Sequence, residues 1–212
     1  MGDIRHGYDQ VADHYTDELA DELRHKPLDR GLLDVVAEFA TDGVVADIGC
    51  GPAHVAAYLA ARGVRTIGMD LSPAMCAAAC RTTSVPVGAA DMTALPVRSQ
   101  SLAGLVCLYA VIHLNDDQRA TAYAEFARVL RPGAHALIAF HTSDPDIPVG
   151  GVKTITDWWG HEVDLTFHYL DPSAETEAMS AAGLVLGARL DREPHRDTER
   201  PSRGSYLLVQ RL

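Results

Sequence analysis

Two acids and two glycines, set where apolar runs end, are the residues of this chain best placed to hold a ligand. Val44, Val45, Ala46 and Ile48 form a short apolar run that carries Asp47 and breaks into Gly49-Cys50-Gly51-Pro52. Such a run reads as a buried strand. Glycine lacks a Cβ, so Gly49 and Gly51 permit a tight turn and let a ligand lie directly on the backbone. The next run, Arg65 to Asp70, ends in a second acid. It falls about 20 residues beyond the glycines, where a carboxylate can accept hydrogen bonds from ribose hydroxyls. A dinucleotide fingerprint wants a third glycine three residues after Gly51, and His54 stands there instead. That glycine normally lets helix and strand pack closely beneath a pyrophosphate. Its absence, with a carboxylate beside the turn, suits a ligand that carries an amine and no phosphate.

Three segments in order, VVADIGCGPA (Val44 to Ala53), GMDLSPAM (Gly68 to Met75) and AADMTALP (Ala89 to Pro96), resemble the class I S-adenosylmethionine-dependent methyltransferases. The likeness runs from Val44 to about Phe140 and includes RVLRPGAHALIAF. It implies S-adenosylmethionine as cofactor, contacted by Asp47, Gly49, Gly51 and Asp70. It also implies that Asp91 accepts from the adenine amino group, that the Met92 backbone donates to the ring, and that Leu71 packs on the adenine. The spacing YDxxAxxY, Tyr8 to Tyr15, resembles the helical lid of small-molecule members, with Tyr15 reaching the cofactor's methionine end. The competing reading is that both tyrosines simply pack their helix onto the domain.

The elements that must position these residues alternate strand and helix, the pattern of a parallel sheet with crossovers. Tyr8 to Glu22 and Leu28 to Phe39 read as two amphipathic helices, with Pro27 in the first turn of the second. Ala53 to Arg62 reads as a helix stopped by Gly63, and Ser72-Pro73 opens the next. Strands follow at Val85 to Ala90, Leu102 to Val111 and Ala134 to Phe140, and Asn115 caps a helix from Asp116 to Leu130. Later, Val163 to Tyr169 reads as a strand after an irregular excursion carrying Trp158 and Trp159, and Asp171 to Ala182 as a helix. Leu184 to Leu190 and Ser205 to Gln210 read as an antiparallel edge, joined by a long solvated loop over Asp191 to Arg203. The expected fold is α/β: a Rossmann-like, seven-stranded, mostly parallel sheet with helices on both faces, an antiparallel last strand and an N-terminal helical lid. It forms one domain over residues 1–212, divided into a lid (1–42), a cofactor-binding core (43–140) and an acceptor-side segment with closing strands (141–212).

In an open α/β sheet ligands bind outside the carboxyl ends of the strands, so the loops after the fourth and fifth strands should face the cofactor. An oxygen, nitrogen or sulfur nucleophile has to lose a proton, and histidine is the natural acceptor. His113 is the first candidate, as general base or substrate-orienting donor. The alternative is a histidine that bonds the backbone where a helix begins. His141 is the second candidate, and Tyr109 reads as a cofactor contact. Trp158, His168 and Tyr169 could line an acceptor pocket, or could be core packing. Asp144 and Asp146 beside His141 belong to a segment of turn formers, so no metal is expected.

The 212 residues carry a formal net charge of -11, which argues against a phosphate-backbone partner, since that needs a basic stripe. No stretch is long and apolar enough to span a membrane, and the start is not a secretory signal. The cysteines, Cys50, Cys76, Cys80 and Cys107, form no disulfide framework and read as reduced thiols of a cytoplasmic protein. The partner expected is therefore a small-molecule acceptor, with no nucleic acid and no membrane, in a monomer or homodimer. No Asn/Asp-Pro-Pro-aromatic segment follows the fourth strand, where Leu108-Tyr109-Ala110-Val111 stands, which disfavours amide or base methylation. Rival readings are the same cofactor site hosting decarboxylation or cyclisation, a catalytically silent binding protein, and a nicotinamide dehydrogenase. The last loses on the missing third glycine.

Overall fold

A computed structural model describes residues 3–40, 42–194 and 199–212. The chain opens with helix α1 (Ile4–Leu19), a 3-10 turn (Glu22–His25) and α2 (Pro27–Phe39), where Pro27 takes the first position that needs no N–H. Then β1 (Val44–Ile48), α3 (His54–Ala60), β2 (Arg65–Asp70), α4 (Pro73–Thr82) and β3 (Val87–Ala89) alternate. They are followed by β4 (Leu102–Leu108), a 3-10 turn (Val111–His113), α5 (Asp116–Val129) and β5 (Leu130–Ser143). The last third contains β6 (Val152–Trp158), β7 (His161–His168), α6 (Pro172–Ala181), β8 (Leu184–Arg192) and β9 (Arg203–Arg211).

Seven strands form one sheet in the order β3-β2-β1-β4-β5-β9-β8. Its first four pairings are parallel, while β9 is antiparallel to both β5 and β8. The expected antiparallel last strand is present as β9, which alone is reversed, and only its place at the edge is corrected: it lies inside the sheet with β8 outside it. Alternate strand residues point to opposite faces. Val45, Val106 and Leu137 pack with Leu33, Val36 and Leu59 of α2 and α3. Leu105 and Ile138 pack with Phe126 and Met179 of α5 and α6. Both faces are thus covered, as a parallel sheet requires.

The expected irregular excursion around Trp158 is also corrected. β6 and β7 pair antiparallel as a separate two-stranded sheet. They turn at Trp159 and Gly160, whose φ angles of 55° and 80° are both positive, as the favoured two-residue hairpin turns require. Val163 and Leu165 on β7 and Trp158 on β6 bury against Val11 and Ala12 of α1. The hairpin therefore holds α1 beside α4. Asp9 on α1 strengthens that seat by accepting from the Ser72 hydroxyl at 2.5 Å and the Ala74 N–H at 3.1 Å, at the start of α4.

Candidate functional site

An open cleft lies where β1, β2 and β4 end, with α1 across its mouth. Parallel strands bring the residues that follow them to one side of the sheet, and the glycine turn supplies the floor. Gly49 has φ 69° and Gly51 φ 51°, and a Cβ on Gly49 would collide with the Cβ of Ala110. The turn is anchored from the neighbouring strand: Gly49 and Cys50 both donate to the Met69 carbonyl.

Asp70, at the end of β2, faces this turn. One carboxylate oxygen accepts from the Gly51 N–H at 2.8 Å and the other from the Ser72 N–H at 2.9 Å. A carboxylate has about four lone-pair sites, so each oxygen can take one more donor from the cleft. Burial pushes the Asp70 carboxyl up, while these backbone donors and that of Leu71 favour the charged form. Leu71, Asp91 and Met92 line the same cleft, and Asp91 already accepts from the backbone and hydroxyl of Thr93. Tyr15 reaches in from α1, its ring edge 3.6 Å from where a Gly51 Cβ would stand. Tyr109 completes that wall with a φ of 57°, a conformation few bulky residues adopt. Its hydroxyl is 2.6 Å from that of Tyr206, which donates to buried Asp29.

Not every expected cofactor contact is on the wall. Asp47 is only 3% exposed and lies beneath the turn, where it accepts from the Ala56 N–H at 3.1 Å. The physical reason is local. α3 starts after Ala53, which is left-handed and has no side chain to cap a helix, so the carboxylate of Asp47 serves instead. Burial pushes the Asp47 carboxyl up to about 7. His54, in place of a third glycine, has its Nε2 3.1 Å from Glu22 and ties the turn after α1 to the start of α3.

His113 lines the cleft and is 7% exposed. Its Nδ1 is 2.9 Å from the Thr166 carbonyl, which only accepts, so Nδ1 carries the proton. Nε2, 2.7 Å from the Tyr8 hydroxyl, is then the acceptor of that phenol's proton. Sequence reasoning passed over Tyr8 as a site residue, although its spacing of seven from Tyr15 puts both on one face of α1. Their rings stand 5.8 Å apart. His141 lies outside the cleft wall, 4.7 Å from the Tyr109 ring between centroids and bonded through Nδ1 to Ser202. Trp158 packs edge-on against Tyr8 and Tyr15, behind the wall. His168 and Tyr169 do not line the cleft, and the Tyr169 hydroxyl donates to Asp144. Among the described residues no group of His, Cys, Asp or Glu could hold a metal. The cysteines are free thiols, and no described helix is long and apolar enough to cross a membrane.

Burial holds both imidazoles at about 4, with His168 also lowering His113 and Lys26, Arg200 and Arg192 lowering His141. In an unfolded chain each would take its proton near pH 6.5. Between those values each histidine binds its proton in the unfolded chain only, so the histidines' contribution to stability is lost as pH drops from about 6.5 to about 4. Asp47, raised to about 7, contributes in the opposite direction. Urea unfolding at pH 7 and pH 4.5 reads the sum as a difference in stability, from which His113→Asn should remove that histidine's loss. An unchanged difference in the variant would show that His113 is not the group responsible.

Four similarities bear on this site. A family profile described as "Methyltransferase domain" matches residues 45–133. A "tRNA (carboxymethyluridine(34)-5-O)-methyltransferase" of Mus musculus is 32% identical over 133 residues, covering 62% of this chain and 18% of that protein. An "O-methyltransferase" of Aspergillus sclerotiorum is 27% identical over 158 residues, covering 70% of this chain and 59% of that one. This chain thus aligns with under two thirds of either relative's length. The crystal structure of a SAM-dependent methyltransferase from Methanosarcina mazei superposes with a TM-score of 0.70 at 17% identity, over 81% of this chain and 93% of that one.

Proposed function

We propose that this chain is a class I S-adenosylmethionine-dependent methyltransferase, as the matching methyltransferase-domain profile supports, and that it moves a methyl group from S-adenosylmethionine to an oxygen, nitrogen or sulfur atom of a small-molecule acceptor. The observation that carries this is Asp70, whose two oxygens each hold one backbone N–H and keep lone pairs for the two hydroxyls of a ribose. The remaining residues fit the same cofactor. Gly51 leaves open the space that a side chain would fill beneath the ring of Tyr15. Leu71 offers an apolar face and Asp91 an acceptor for the two edges of an adenine, with Met92 beside them.

The bound cofactor supplies a methyl on a positively charged sulfur, a leaving group that departs neutral. In-line transfer then asks the protein for alignment and for the exclusion of water. Tyr15 and Tyr109 close the methionine end of the cleft, and α1 covers it, pinned by Asp9. Asp47 acts from below, holding α3 and so the turn. His113 keeps Nε2 as a proton acceptor because the Thr166 carbonyl holds the other nitrogen's proton. Tyr8 occupies that lone pair, so an acceptor's proton reaches His113 either through the phenol or after displacing it. His141 stands behind Tyr109 and is proposed to orient the acceptor side of that ring. Trp158, His168 and Tyr169 belong to the acceptor side of this proposal.

Calorimetric titration with S-adenosylmethionine and S-adenosylhomocysteine, with NAD as control, tests the reading. Saturable binding of both sulfur ligands and none of NAD is expected. Binding of NAD, or of none of the three, would overturn it. The name of the mouse relative supports a second reading, a nucleic-acid acceptor. The net charge of -11 weighs against it, because a phosphate backbone is held by cationic side chains.

A further inference from the structure

Arg200 lies over the Trp158 ring, 5.5 Å from its centroid. Other described cations near the β8–β9 connection are paired. Lys26 is 2.7 Å from Glu22, and Arg192 bonds Glu199 through two nitrogens at 2.5 and 2.7 Å. Arg200 is exposed, its carbonyl accepts from the Ser202 N–H, and its side chain has no hydrogen bond or ion pair among the described residues. The indole it covers is itself unfinished: Trp158 is 9% exposed, and its Nε1 proton is buried without an acceptor. A buried donor left without a partner costs about 1–3 kcal/mol, so such groups ordinarily meet one. The Trp158 ring touches Tyr8 and Tyr15 at 5.9 and 5.8 Å between centroids, and both tyrosines line the cleft. The Arg200 charge also acts on Tyr8, Tyr15, His141 and Tyr169, which places it among the groups of the acceptor side. The guanidinium, which has no acceptor among the described residues, is the exposed donor of this patch, and the indole N–H beneath it is buried.

We propose that the acceptor is a small carboxylic acid bound as its carboxylate, and that Arg200, seated on Trp158, is the residue that selects it. The inference rests on the methyl-transfer reading and names its substrate class. A guanidinium meets a carboxylate with two parallel N–H bonds, which a neutral amide cannot match. An aromatic or alkyl remainder would lie against Tyr8 and Tyr15, which line the cleft with Trp158 packed behind them.

The test uses the full chain and its own fluorescence, because its two tryptophans, Trp158 and Trp159, both stand at this patch, stacked at 4.7 Å. S-adenosylhomocysteine binding is measured first by calorimetry, and its absence would sink the methyl-transfer reading rather than this one. The complex is then titrated with benzoate, phenylacetate, indole-3-acetate and octanoate, each against its amide. At least one acid should change the emission saturably while its amide does not. Arg200→Gln should weaken that acid about tenfold to a hundredfold, the worth of one charged hydrogen-bonded contact. Arg200→Lys should fall between, with S-adenosylhomocysteine affinity unchanged in both. Equal responses to acid and amide, no response to any acid, or an unaffected Arg200→Gln would overturn the proposal. Bulk transfer RNA is added as a competitor and is expected to leave the acid bound. Its displacement would move the acceptor to a nucleic acid and overturn the small-molecule class.

Discussion

Asp70→Ala is expected to weaken binding of S-adenosylhomocysteine about a hundredfold, while lowering the melting temperature far less than that loss implies. A hydrogen bond to a charged group contributes about 1.5–3 kcal/mol, and two ribose hydroxyls on one carboxylate therefore account for about 3 kcal/mol or more. At 1.4 kcal/mol per tenfold, that is about two orders of magnitude in the dissociation constant. The side chain also holds the Gly51 and Ser72 N–H groups, so the turn loosens as well. Asp70 is partly exposed and water can replace those two bonds, which keeps the cost in stability small. Calorimetry and thermal unfolding on the same two proteins check both halves. Tight binding retained in the variant would remove Asp70 from the cofactor site. Asp47→Asn provides the contrast, since that carboxylate caps α3 and does not touch the cleft. Its loss should appear first in stability.

The largest expected loss of stability comes from Glu175→Ala, at about 3–5 kcal/mol. Glu175 is 4% exposed and accepts from Arg119 Nε at 3.1 and 3.2 Å and from the Tyr123 hydroxyl at 2.5 Å. Arg119 is 7% exposed and Tyr123 fully buried, so the variant leaves a buried charge with only Asp116, at 2.6 Å, of its two carboxylate partners and a phenol with no acceptor. For a domain of this size each kcal/mol is worth about 2–4 °C in melting temperature, which puts the drop near 10 °C. The same Arg119 donates to the Leu114 carbonyl at 2.6 Å and steadies the loop that carries His113. Glu175→Gln, which keeps an acceptor, should cost less. The double variant Arg119→Met with Glu175→Leu should recover much of the loss, because an apolar pair carries no stranded charge. Unfolding in urea gives the comparison, and a single-variant cost below about 1 kcal/mol would show that water replaces the carboxylate.

The residues that the sequence by itself determined are those whose signal is local. A strand that breaks at Gly49 and Gly51, an acid ending the next strand at Asp70, and Asp91 with Met92 after the third all fall to one side because parallel strands end together. Tertiary structure decided the rest, because the deciding contacts come from remote parts of the chain. Asp47 looked like a ligand to the cofactor, but the left-handed Ala53 left α3 uncapped and drew the carboxylate under the turn. His113 reads either as a general base or orienting donor or as a histidine bonding the backbone, and the fold gives one nitrogen the Thr166 carbonyl and the other Tyr8, 105 residues upstream. The edge strands alternate well enough to be seen, yet β9 lies between β5 and β8 and is buried on both faces, Leu207 and Val209 on one and Tyr206 on the other. Arg200 reads as one more charge in a solvated loop. Its meaning depends on a tryptophan from a separate hairpin, and no periodicity or spacing within a window of the chain can bring those two together.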